Sequence, residues 1–177
     1  EYFRPLPSKL LMEVYDKMNL NLTQKERSLL KDQKKHEEIC IKKYSNYANQ
    51  TQCPELKQML QTHAQQEQQH LNTINQMLSG QVPDMQQNQQ QNQQQNQQQN
   101  QQQQAGQQSG MKNAHDADLC NDLLMAEKYV SGTYDIAIFE FTNTNARQAL
   151  NHIQKEEQQH GEGIFNYMQK KGMYQVQ

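Results

Sequence analysis

At 177 residues the chain suits one domain, yet 33% hydrophobic residues and a mean hydropathy of −1.17 read at first as too polar to fold. The polarity is concentrated. Residues 86–104 hold only Gln and Asn, and the two flanking segments have ordinary amphipathic patterning, each too thin to bury a core without the other. A net charge of −2 with no basic stripe sets nucleic acid aside, and no apolar run approaches the ~20 residues of a membrane span.

Cys40, Cys53 and Cys120 lie in no Cys-x-x-Cys spacing and read as reduced thiols on or near helix surfaces. The chain opens at Glu1 rather than Met, which leaves a removed leader open.

Residues 8–18 place Leu10, Leu11, Val14, Tyr15 and Met18 on one side, a short amphipathic helix expected to clip the end of the fold. Thr23 and Glu26 form a capping-box signature, so the first long helix starts there. Its inner stripe is Leu29/Leu30, Gln33, Glu37, Ile41, Tyr44 and Ala48, with a carboxylate in the middle. Pro54 suits the first turn of a second helix and Gly80 its end. Between them Leu56, Leu60, His63, Glu67, His70/Leu71, Ile74 and Leu78 form the stripe.

From Val82 to about His115 the chain is mostly Gln, Asn, Gly and Ser, with too little apolar surface to offset chain entropy, and it reads as a disordered crossover. Asp116 or Asp118 is then expected to cap a third helix with Leu119, Leu123, Glu127, Val130, Tyr134, Ile138 and Phe141 inward. Gly132 in its middle weakens it by about 1 kcal/mol relative to Ala. The run Thr142 to Asn145 ends it. A fourth helix from about Ala146 carries Ala149, Leu150, Ile153, Glu157, His160, Ile164 and Met168 to a stop at Gly172. The domain reading is an N-terminal segment 1–22, a first hairpin 23–80, a linker 81–115 and a second hairpin 116–177.

Glu67-Gln68-Gln69-His70 returns as Glu157-Gln158-Gln159-His160, an offset of 90 positions. The same offset pairs Leu29 with Leu119, Asp32 with Asp122, Glu37 with Glu127, Tyr44 with Tyr134, Gln58 with Gln148, Leu60 with Leu150 and Ile74 with Ile164. A constant register of this length reads as a duplicated helical hairpin. It selects Glu37 over Glu38, whose counterpart is Lys128, and it demotes His63, whose counterpart is Ile153, to a helix-edge histidine.

Glu and His three apart share one helix face. Two helices with a mid-stripe Glu and two with Glu-x-x-His are the inventory of a ferritin-like four-helix bundle that holds two Fe or Mn ions. The expected ligands are Glu37, Glu67, His70, Glu127, Glu157 and His160. Four carboxylates balance two divalent cations, and buried ionised carboxylates without such compensation are costly. Singly, each of these Glu residues would more often be a solvated helix-face carboxylate. Tyr44 and Tyr134 lie on the same faces as Glu37 and Glu127 and read as core tyrosines with a bonded hydroxyl.

Leu123-Leu124-Met125-Ala126-Glu127-Lys128, Arg147-Gln148-Ala149-Leu150, Glu156-Glu157-Gln158-Gln159-His160 and Lys171-Gly172-Met173-Tyr174 resemble the spore coat protein F family of endospore-forming bacteria. Leu30-Lys31-Asp32-Gln33, Ile41-Lys42-Lys43-Tyr44 and Glu67-Gln68-Gln69-His70 look like the same unit. The resemblance covers about residues 25–80 and 116–175, departs at Met173, where the family usually has Trp, and departs again in the Gln/Asn tract. It implies a ferritin-like fold, synthesis in the mother-cell cytoplasm, residence in the spore coat and other coat proteins as partners. The expected function is a structural or assembly component of the coat with a di-metal carboxylate site. The alternative is a di-iron or di-manganese oxidase or peroxide-consuming enzyme. The slack of the connector would also let one chain's first hairpin pair with another's second, as a swapped homodimer.

Overall fold

The computed structural model describes residues 19–83 and 114–174. The expected helix at 8–18 and the tract from 84 to 113 lie outside the described residues. Among the described residues four helices follow in chain order: α1 (Gln24–Gln50), α2 (Pro54–Leu78), α3 (Ala114–Glu140) and α4 (Thr144–Lys170). None is long and apolar enough to cross a membrane.

The ends of these helices are set by local chemistry. Thr23 Oγ1 accepts from the Glu26 amide at 3.1 Å while Glu26 Oε2 accepts from the Thr23 amide at 2.8 Å, a complete capping box. Pro54 opens α2 in the first turn, where its missing N–H would be unpaired anyway. Asn143 Oδ1 accepts from the Ala146 amide at 3.0 Å and starts α4 two residues before Ala146. Gly80 and Gly172, at φ 85° and 67°, turn the chain out of α2 and of α4 in a conformation that a Cβ would strain. The expected cap of α3 is corrected: the helix already runs from Ala114, so Asp116 sits buried within its first turn.

Neighbouring helices run antiparallel. Between α1 and α3, Lys25 meets Glu140 at one end, Thr133 Oγ1 donates to Gln33 Oε1 at 3.0 Å further along, and Tyr47 Oη donates to Asp122 Oδ2 at 2.6 Å near the other. Between α2 and α4, Glu55 binds Lys170 at 2.7 Å while His70 Nε2 lies 2.9 Å from Glu156 Oε2. Arg27 reaches the Leu78 carbonyl at 3.0 Å, which closes the first hairpin. The end of α2 therefore lies at the opposite end of the bundle from the start of α3.

The core is Leu30, Leu56, Leu60, Ile74, Met77, Leu123, Phe141, Leu150, Ile153, Ile164 and their neighbours. Three packing expectations shift by one helical position: Cys40, Met77 and Ala137 are buried rather than Ile41, Leu78 and Ile138. Cys40 and Cys120 are free thiols inside the core, which corrects their placement near helix surfaces. Helix α3 is apolar on two sides, with Met125, Tyr129, Ile136 and Phe139 turned outward.

Glu26 does more than cap α1. Its Oε1 accepts from the Thr142 amide at 2.9 Å and from Thr142 Oγ1 at 3.2 Å, so one buried carboxylate ties α1 to the turn between α3 and α4. Burial pushes this carboxyl up, but the hydrogen bonds from Thr142 and Thr23 outweigh it and hold the group below its ordinary 4.5. A depressed folded value contributes stability that is present above pH 4.5 and lost as pH falls through the folded value. Glu26→Ala is expected to lower stability by about 2–3 kcal/mol at pH 7. The gap to wild type should narrow at pH 3.5. Urea unfolding at the two pH values checks both.

Candidate metal centre

Each helix brings one or two polar side chains to the middle of the bundle. Glu37 comes from α1, Glu67 and His70 from α2, Glu127 from α3, and Glu157 and His160 from α4; all six are 0–2% exposed. The i, i+3 spacing in α2 and α4 directs each Glu and its His inward together. Two clusters result, each with its four ligand atoms within 4.8 Å of one another: Glu37, Glu67, His70 and Glu157 in one, Glu67, Glu127, Glu157 and His160 in the other. Glu67 and Glu157 belong to both, whereas Glu37 and Glu127 each serve one. Among the described residues these are the groupings with such ligand spacing.

Residues 115–177 match the family model described as the Coat F domain. The second hairpin is similar to the Coat F domain along its whole length. No curated protein and no solved structure matches the chain. The matched segment supplies Glu127, Glu157 and His160, and the first hairpin supplies Glu37, Glu67 and His70 at positions 90 residues earlier.

Within the centre, Tyr44 Oη donates to Glu127 Oε1 and Tyr134 Oη donates to Glu37 Oε1. Each Tyr thus crosses from one hairpin to a carboxylate of the other. His70 Nδ1 lies 2.9 Å from Glu157 Oε1 and 3.6 Å from both Glu37 Oε2 and Glu67 Oε2. His160 Nδ1 lies 3.0 Å from Glu67 Oε1 and 3.8 Å from Glu127 Oε2.

This crowding perturbs every carboxylate. Burial, together with the charge of Glu67, pushes Glu37 up to about 8 and Glu157 up to about 7. Burial and Glu157 push Glu127 well above the usual carboxylate range. Burial acts on Glu67 in the same sense, but the contacts with His160 and His70 outweigh it and hold this carboxyl low. For His70 burial disfavours the charge, and contacts with Glu156, Glu157, Glu37 and Glu67 overcome it. Tyr44 and Tyr134 are held protonated, by burial first and then by Glu127 and Glu37.

The donor set fits two hard or borderline divalent cations. Glu37 Oε2, Glu67 Oε2, His70 Nδ1, Glu127 Oε2 and both oxygens of Glu157 are buried yet make no hydrogen bond. Buried polar atoms are nearly always satisfied, and six exceptions in one place need an explanation. Carboxylate oxygens with imidazole nitrogens are ligands suited to iron and manganese.

His63 is the site residue that sequence reasoning misplaced. It is 8% exposed rather than at a helix edge, and its ring stacks on His160 with centroids 4.4 Å apart. Burial and His160 hold it neutral, well below the ordinary histidine value. Its position on the inner stripe one turn before Glu67 was the signal, and the comparison with Ile153 masked it. Glu156 was missed as well. Its Oε2 accepts from His70 Nε2 at 2.9 Å, and His152 lies 3.4 Å away.

Proposed function

We propose that this protein is a spore coat component whose ferritin-like body carries a di-metal carboxylate centre of Fe or Mn. The observation that carries the metal reading is the pair of overlapping clusters with Glu67 and Glu157 common to both. The Coat F domain supports residence in the coat and coat proteins as partners. Three features favour the ferritin-like type: antiparallel neighbouring helices, a crossover from one end of the bundle to the other, and Glu on α1 and α3 facing Glu-x-x-His on α2 and α4. The matching positions of Glu37 and Glu127, of Tyr44 and Tyr134, and of the two Glu-x-x-His pairs favour an origin by duplication.

In this reading Glu37 and His70 would hold one cation, Glu127 and His160 the other, and Glu67 with Glu157 would join them. Bound iron or manganese supplies one-electron redox chemistry and Lewis acidity that no side chain of this chain offers. The protein's own part is to keep the site dry, to aim the ligands and to hold the Tyr44 and Tyr134 protons on their phenols beside Glu127 and Glu37. The coat role is tested by fractionating purified spores: the chain is expected in the extracted coat and absent from the core fraction. Recovery in the core alone would overturn it.

A second reading, a peroxide-consuming or oxidase activity, is favoured by the two oxidisable phenols hydrogen-bonded to candidate ligands. Metal-loaded protein should then consume hydrogen peroxide, and Glu67→Gln should abolish the consumption. Metal-loaded protein that leaves peroxide untouched and consumes no oxygen would limit the centre to a structural role.

A further inference from the structure

The two halves of the centre differ at one pair of equivalent positions. His70 and His160 each point Nδ1 at the carboxylates and Nε2 away from them. Behind His70, Nε2 meets Glu156 Oε2 at 2.9 Å; behind His160, Nε2 meets Gln66 Oε1 at 3.1 Å. Glu156 and Gln66 stand 90 positions apart, in register with the repeat. The duplicated fold therefore backs one candidate ligand with a carboxylate and the other with a neutral amide.

We infer that Glu156 and Gln66 are positioning residues that make the two cation positions unequal, so that the first ion enters the cluster of Glu37, Glu67, His70 and Glu157. This rests on the di-metal reading. A partner accepting from Nε2–H fixes the tautomer that leaves the Nδ1 lone pair free for a cation, and both Glu156 and Gln66 can do that. A carboxylate does more, because a charge-assisted hydrogen bond is stronger and draws the Nε2 proton away from the ring, which makes Nδ1 the better donor. It also adds a negative charge behind the first cluster that Gln66 does not add behind the second. Glu156 is 7% exposed, so water screens that charge weakly. The His63 ring stacks on His160 of the second cluster, with centroids 4.4 Å apart.

The test is an equilibrium titration of metal-free full-length protein with Mn2+ alone, with free Mn2+ followed by electron paramagnetic resonance and circular dichroism confirming the fold. Repulsion between two cations separates the steps even in a symmetric centre, so the diagnostic is which variant moves which step. Glu37→Gln, which touches the first cluster only, should remove the tight step; Glu127→Gln should leave one tight Mn2+. Glu156→Gln should weaken the tight step by about 10- to 100-fold. Gln66→Glu, at a half-buried position that tolerates change more readily, should tighten the weak step toward the first. If Glu37→Gln and Glu127→Gln act alike, or if neither exchange at 156 and 66 moves a step, the inference is overturned while the centre stands. Wild-type protein that binds no Mn2+ would overturn the centre and this inference together.

Discussion

Loading the metal-free protein with Fe2+ under anaerobic conditions, or with Mn2+, is expected to raise its melting temperature by roughly 10 to 20 °C, with close to two ions bound per chain. Each ion present at a hundred times its Kd adds about 2.7 kcal/mol to the native state. For a fold of this size each kcal/mol moves the midpoint by a few degrees. The effect should be large because the ions relieve a specific conflict. Glu37, Glu127 and Glu157 are pushed by burial toward the protonated form, and five carboxylate oxygens accept no hydrogen bond. Cations replace the missing protons, so loading releases protons and affinity rises with pH.

The overlap of the clusters grades the outcome of mutation. Glu67→Gln alters a ligand common to both clusters and should lose both ions, whereas Glu37→Gln alters a ligand of one and should lose one. Calorimetric melting with elemental analysis of each variant checks this. A midpoint unchanged by metal, with no ions retained, would leave the coat role and remove the metal.

Shortening the connector to about five residues should destroy the monomeric fold, while an equally long Gly/Ser segment in place of residues 86–104 should leave the melting temperature within a few degrees. The reason is geometric. Helix α3 of 27 residues rises about 40 Å along the bundle. Pro83 leaves the described chain at the end where α2 stops, and Ala114 re-enters at the opposite end. Five extended residues span at most ~18 Å and cannot make that journey, whereas a chain of about thirty residues reaches it with slack.

The shortened variant has one folded escape, in which the hairpins of two chains pair with one another. Sedimentation should then show a dimer, and a midpoint that depends on protein concentration. A short-connector monomer of unchanged stability would mean that the crossover does not join opposite ends. A fold lost on the equal-length exchange would mean that the tract packs on the bundle.

Much of this was legible because periodicity and capping are local. Thr23 with Glu26, Pro54 and Gly80 mark helix ends through hydrogen bonds and φ angles within a few residues, so their roles do not wait on a partner. The inner stripes were legible to within one position. Ile41, Leu78 and Ile138 yielded to Cys40, Met77 and Ala137 because periodicity defines a face about 100° wide, and the neighbouring helix decides which edge of that face it covers.

The candidate ligands needed the repeat. A single Glu-x-x-His in a Gln-rich chain carries little weight, and only the recurrence of Glu37 at Glu127 and of Glu67 at Glu157 distinguished inward carboxylates from solvated ones. The same comparison failed at His63, because positions 90 apart need not hold like residues and Ile153 is a poor witness for the one it matches. Here the local stripe was the better guide.

By itself, then, the sequence determined the four long helices of the described residues, and it named six side chains on inner faces, because helical period and capping act within a few residues. The tertiary structure decided which carboxylates belong to both clusters, that Tyr44 and Tyr134 bond across the hairpins, that His63 stacks on His160, and that Glu156 and Gln66 stand behind the two imidazoles. Those contacts join residues more than 80 positions apart. They depend on the rotation and axial shift of one helix against another, which side-chain packing sets and no local pattern encodes.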